Sequence, residues 1–128
     1  MPTVSLRIPA EPEHVRLARL VASAAARRCG VDEDVLDEVR LAVGEACSIA
    51  LARSRAAEAD DDIVIELNDD GEQFAVIVYE GGPLAGPEFD DQLAFAVISS
   101  IVPECVIDSK AETNSIRMIW PTPPQAPA

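Results

Sequence analysis

Leu36, Val39, Val43, Ala46 and Ala50 step by three and four through "VLDEVRLAVGEACSIALARSRA". That period places one apolar stripe on a helix running from near Asp32 to near Ala57. A helix with one apolar stripe folds only against another layer that takes the stripe. The flanking segments read as that layer. "TVSLRIP" alternates Val4, Leu6 and Ile8 against Thr3, Ser5 and Arg7, the pattern of a half-buried strand. "DIVIELND" and "QFAVIVYE" are two more strands joined by "DDGE", where Asp70-Gly71 is a hairpin signal. "CVIDS" and "SIRMIW" form a second hairpin across "KAETN".

Two further helices complete the pattern. In "EPEHVRLARLVASAAARRCG", Pro12 suits a first turn, acids come early, and Arg27 and Arg28 come late. Gly30 closes that helix in a left-handed turn. Leu17 and Ala18 set its apolar spacing, and Val21 and Ala25 continue it. "DQLAFAVISSIV" is a third helix, stopped by Pro103, after the loop "GGPLAGPEFDD". The order is β-α-α-β-β-α-β-β with no internal repeat. It predicts an α/β two-layer sandwich, a mostly antiparallel sheet with helices on one face. Residues 1–120 are expected to form one domain. "PTPPQAPA", residues 121–128, is a Pro-rich tail too poor in apolar residues to pack, and is expected to be disordered.

A chain of 128 residues suits one core, and with one Trp, one Tyr and three Phe that core is built from Ala, Val, Ile and Leu. The net charge of −13 repels phosphate backbones and argues against direct nucleic-acid binding. Such a surface steers toward a basic protein partner, although charge of this size also serves solubility alone. Residues 1–10 lack a basic start and a long apolar core, and no apolar run approaches the roughly 20 residues of a membrane span. The expected location is cytoplasmic, without a membrane partner. Cys29, Cys47 and Cys105 are far apart and lie among apolar neighbours, as buried free thiols do. No His/Cys cluster suggests a metal, and His14 reads as a surface residue.

Glu45 lies off the main stripe, with Leu41, Ser48, Ile49 and Ala52 on its face. A carboxylate on such a face is ordinarily solvated. The segments "PEHVRLARLVASAA" and "VLDEVRLAVGEAC", followed by a loop, a helix and a hairpin, resemble the anti-sigma regulatory factors. These form the serine-kinase branch of the GHKL, or Bergerat-fold, ATPases. The resemblance runs from about Ser5 to Trp120, with the helix pair as its specific part.

The resemblance assigns roles. The helix glutamate of that family is a general base, and an asparagine four residues later holds the magnesium bridging the ATP phosphates. Glu45 falls on the glutamate, and Ile49 stands where the asparagine is expected. Isoleucine offers no oxygen to a hard cation. In the family's first glycine box an aspartate accepts a hydrogen bond from adenine. Here Glu80 takes that place, Gly82 keeps the first glycine and Leu84 replaces the second. The glycines of the second box correspond to Gln92 and Ala94, preceded by Asp90 and Asp91, which would repel a phosphate. The segment from Leu84 to Asp91 is short for a lid; with its neighbours it is about a dozen residues. The family's Gly-Thr pair is replaced near Thr113-Asn114.

The implied function is an anti-sigma regulatory protein. It would bind a sigma factor, answer to an anti-anti-sigma protein of the STAS fold, form a homodimer and bind ATP poorly. Glu45 would be a remnant general base, Glu80 and Gly82 a degenerate nucleotide box, and no cofactor would be held. A second reading is an active serine kinase using Mg-ATP, with Glu80 at adenine and Ser48 or Asp90 reaching the metal. A third is a non-catalytic oligomerisation or scaffold domain.

Overall fold

Period-two alternation in five segments produces one antiparallel sheet in the order β1-β2-β3-β5-β4. The computed structural model describes residues 3–56, 62–80, 92–109 and 114–122. The strands are β1 (Thr3–Ile8), β2 (Ile63–Asp69), β3 (Gln73–Glu80), β4 (Glu104–Ser109) and β5 (Asn114–Pro121). The helices are α1 (Val15–Arg28), preceded by a 3-10 turn at Pro12–His14, α2 (Glu33–Ala56) and α3 (Gln92–Ile101). The element order and the two-layer α/β sandwich are those expected from the sequence.

Register decides which side chains reach the core. Phe74 lies opposite Trp120, Val76 opposite Met118 and Val78 opposite Ile116. All six are buried, together with Ile63, Ile65 and Leu67 of β2. The Phe74 and Trp120 rings pack with centroids 6.3 Å apart. The β2–β3 turn is held by its own carboxylates. Asp69 accepts the Gly71 N–H at 2.9 Å, and Asp70 accepts those of Glu72 and Gln73 at 2.9 and 2.8 Å. Those bonds hold the Asp70 carboxyl below its usual range. Gly71 sits at φ 88°, where a side chain is strained.

The turn between α1 and α2 has a chemical reason as well. The Gly30 N–H donates to the Arg27 carbonyl and the Val31 N–H to that of Ala26, both at 3.1 Å. This is a Schellman closure, with Gly30 at φ 86°. The inward face of α1 is narrower than its sequence suggests. Ala18, Ala22, Ser23 and Ala26 are the buried positions, whereas Leu17 is 47% and Leu20 58% exposed. Small side chains let α1 approach α2 closely, and the leucines turn outward. The approach is tight at Gly44, where an added Cβ would lie 3.3 Å from Arg19 Cδ.

On α2 the expected stripe of Leu36, Val39, Val43, Ala46 and Ala50 is buried. Ala42, Cys47, Ile49 and Leu51 are buried as well. The buried face is wider than one stripe because α2 packs on α1, α3 and the sheet together.

Three details depart from expectation. β5 continues to Pro121, and the N–H of buried Thr122 donates to the Glu72 carbonyl at 3.0 Å. The packed chain thus passes the expected boundary at residue 120, while the rest of the expected tail, 123–128, lies outside the described residues. Cys105 is only half-buried, because it sits on an edge strand, while Cys29 and Cys47 are buried, neither in a disulfide. His14 is partly covered, with Nδ1 3.5 Å from a Glu11 carboxylate oxygen. No helix among the described residues is long and apolar enough to cross a membrane.

Candidate functional site

Glu45 and Ile49 sit one turn apart on α2, about 40° from each other around the helix axis. Their surroundings differ more than that angle suggests. Glu45 is half-buried on the rim, whereas Ile49 is 3% exposed. The expectation that the two share one outward face is therefore corrected. The flank of α2 turned toward α3 carries Ala46, Ile49 and Ala50 into the core. Ser48 is exposed, about 100° from Ile49 by helix geometry.

Arg53, one turn beyond Ile49, holds its guanidinium 5.6 Å from the centre of the Phe95 ring. This cation–π contact ties the last part of α2 to α3 beside the same flank. Sequence reading did not single out either residue. The available signal was an arginine in the last turn of a helix, with a lone aromatic on the helix that follows.

Magnesium does not fit these residues. At the expected ligand position Ile49 has no oxygen and is closed into the core. The one group of three metal-ligating side chains found among the described residues is Glu11, Glu13 and His14, on the turn before α1 rather than on α2. Of the ion pairs between described residues, none involves Glu45. Behind the rim, burial pushes the Cys47 thiol up to about 12.

The remaining candidates are distributed over other elements. Glu80 is the last residue of β3, in register with Asn114 of β5. Gln92 and Ala94 lie in the first turn of α3. Gly82, Leu84, Asp90, Asp91 and Thr113 lie outside the described residues. A cleft of about 160 Å³ opens at the far end of α1 against β1 and β2, lined in part by Ala25, Cys29, Leu67 and Phe74. Burial and the neighbouring Asp69 carboxylate push the Cys29 thiol up to about 11. None of Glu45, Ile49 or Glu80 lines that cleft.

Residues 8–120 match the family model described as the histidine kinase-like ATPase domain. The serine-protein kinase RsbW of Bacillus velezensis is 32% identical over 79 residues, which are 62% of this chain and 49% of that protein. The RsbW of Bacillus licheniformis is 25% identical over 109 residues, 85% of this chain and 66% of that protein. The chain thus spans about half the length of the first of these curated relatives. The crystal structure of the RsbU and RsbW domains of Rv1364c from Mycobacterium tuberculosis superposes with a TM-score of 0.72 at 17% identity. It covers 100% of this chain and 35% of that one, and at this identity it speaks to the fold alone. The chain belongs to the histidine kinase-like ATPase domain family, the GHKL fold that also holds the anti-sigma regulatory factors its helix pair resembles.

Proposed function

We propose that this chain is a cytoplasmic anti-sigma regulatory protein. It binds a sigma factor, is controlled by a STAS-type anti-anti-sigma protein, and works by protein contact as a homodimer without efficient use of Mg-ATP. The observation that carries the reading is Ile49, 3% exposed, at the position where a metal-holding asparagine is expected. Phosphoryl transfer needs metal, phosphate loop and closing segment together. Removal of the metal ligand into the core argues against the whole set. In this reading Glu80 and Gly82 are a degenerate nucleotide box, and Glu45 a remnant base without a substrate phosphate.

A second reading draws support from Glu45 itself. It stands half-exposed on the rim, and relatives bear the name serine-protein kinase. In that reading the chain phosphorylates a serine of its STAS antagonist, with Mg-ATP held by other groups.

Calorimetric titration with Mg-ATP and Mg-ADP separates the two. The anti-sigma reading expects no isotherm at millimolar nucleotide, together with a stable complex with a sigma factor of the same genome, dissolved by the STAS protein. A one-site isotherm at micromolar nucleotide, with phosphate appearing on the STAS serine, would install the kinase reading instead. A chain that binds neither protein would leave the scaffold reading.

A further inference from the structure

His14 is the only histidine of the chain. Its Nδ1 is closed off from solvent and has no hydrogen-bond partner. A buried polar atom without a partner needs an explanation. The nearest candidate is a Glu11 carboxylate oxygen at 3.5 Å, beyond the roughly 2.7–3.2 Å of an N–H···O bond. Glu13 brings a third group to the same place. One ligand atom from each of Glu11, Glu13 and His14 falls within 4.8 Å of the other two.

The local chain explains the grouping. Glu11 is extended, at φ −134° and ψ 140°, and Pro12 opens the 3-10 turn Pro12–His14. The His14 N–H donates to the Glu11 carbonyl at 3.1 Å. A turn of this kind sets side chains three residues apart one above the other, which brings Glu11 to His14. The Pro12 ring fixes one backbone angle of the turn, so the pair is held in place before anything binds. Of the ion pairs between described residues, one joins Glu11 to His14 and none reaches Glu13. A divalent cation would offset both carboxylates at once.

Ligand chemistry selects the ion. Zn²⁺ takes imidazole nitrogen and carboxylate oxygen at about 2.0–2.2 Å. With bonds of that length two ligands of a tetrahedral ion lie about 3.4 Å apart, close to the 3.5 Å between Glu11 and His14. Mg²⁺ takes oxygen ligands and has no use for the imidazole. We propose that Glu11, Glu13 and His14 form a site for Zn²⁺ or another imidazole-seeking divalent ion of the first transition row. The exposed Glu13 rotates to close the triad, and water takes the fourth position. The bound ion pins the connection between β1 and α1. The site is separate from the magnesium position on α2 and stands under either functional reading.

The test uses the untagged, chelator-treated chain. Zn²⁺ is titrated by calorimetry while the imidazole signals of His14 are followed by NMR. One Zn²⁺ per chain is expected, with the His14 signals shifted at saturation. His14→Ala and Glu13→Gln, each checked for native circular dichroism, should weaken binding at least about tenfold, since loss of even an outer partner of a metal ligand costs that much. Zn²⁺ should raise the unfolding temperature of the unsubstituted chain and not of His14→Ala. No isotherm, or His14 signals unmoved by Zn²⁺, overturns the proposal whatever the variants do. So does binding that neither substitution weakens. Displacement by Mg²⁺ would leave only an acidic surface, and a thiolate absorption band with Co²⁺ in place of Zn²⁺ would assign the ion to a cysteine. Either result also overturns it.

Discussion

The two faces of α2 answer to different constraints. Val39, Val43, Ala46 and Ile49 are at most 3% exposed, while Leu41 on the same helix is 45% exposed. Glu45 stands half-buried between them, and Ser48 and Ala52 are exposed. A residue on the rim changes with little consequence for the fold. A residue on the inner face acquires one. Ile49 is thus a residue of the core, whatever the site beside it does. Burying a side chain of its size contributes about 2–3 kcal/mol. A polar residue at this position would forgo that contribution and add the cost of a buried polar group.

Ile49→Asn is the strongest test of that contrast. It removes buried methyl groups and places an amide in an apolar setting, so urea denaturation should show a loss of about 3 kcal/mol. On the anti-sigma reading the variant should still show no ATP turnover, since phosphoryl transfer needs a phosphate loop and a closing segment as well as a metal ligand. Unchanged stability would put Ile49 on the rim, and measurable turnover would return the site to the kinase reading.

Alkaline pH probes the inner face without changing its shape. Burial pushes the Cys47 thiol up to about 12 in the fold, from an ordinary 9.0. Above the unfolded value, the unfolded chain gives up a proton that the folded chain keeps. Stability is therefore intact below pH ~9 and falls by about 1.4 kcal/mol per pH unit per thiol as pH rises toward the folded value. Cys29, pushed up to about 11, adds to the slope at its beginning. Denaturation curves at several alkaline pH values should flatten in Cys47→Ala. An unaltered slope would mean that Cys47 is ionised or exposed in the fold.

Glu45→Ala should give the smallest effect. Removing a rim carboxylate that has no ion pair with any described residue should change stability by less than about 0.5 kcal/mol. Partner affinity should stay within about threefold for the same reason. A tenfold loss of sigma-factor binding would place Glu45 in the interface and erase the distinction between a spent catalytic residue and a working one.

Periodicity made the architecture legible, because each strand keeps one face inside and α2 repeats its stripe over five positions. It was less informative for α1. There alanines do the packing, so Leu17 looked like part of the buried face and is not. The inner face of α2 was likewise read too narrowly. A helix with neighbours on three sides buries Cys47, Ile49 and Leu51 in addition to the repeating stripe. The identity of Ile49 was visible from spacing to Glu45, but its burial depends on the layers packed around α2, one of which, α3, lies some forty residues further along the chain. The Arg53–Phe95 contact joins those same two helices and carries no periodic signal at all. Half-burial of Cys105 follows from strand order, which pattern alone does not specify.

Strand order also sets a timetable for the newborn chain. β1 pairs with β2 in a register that joins Thr3 to Asn68. Their side chains meet across a separation of 65 residues. At a synthesis rate of about 5–20 residues per second, β1 waits several seconds for its partner. α1 and α2 finish and find each other during that interval, since their contacts are local. β1, in which Val4, Leu6 and Ile8 alternate with Thr3, Ser5 and Arg7, has no sheet to join during that interval. The wait is longer for β1 than for the strands that pair within a hairpin, as β2 does with β3 and β4 with β5.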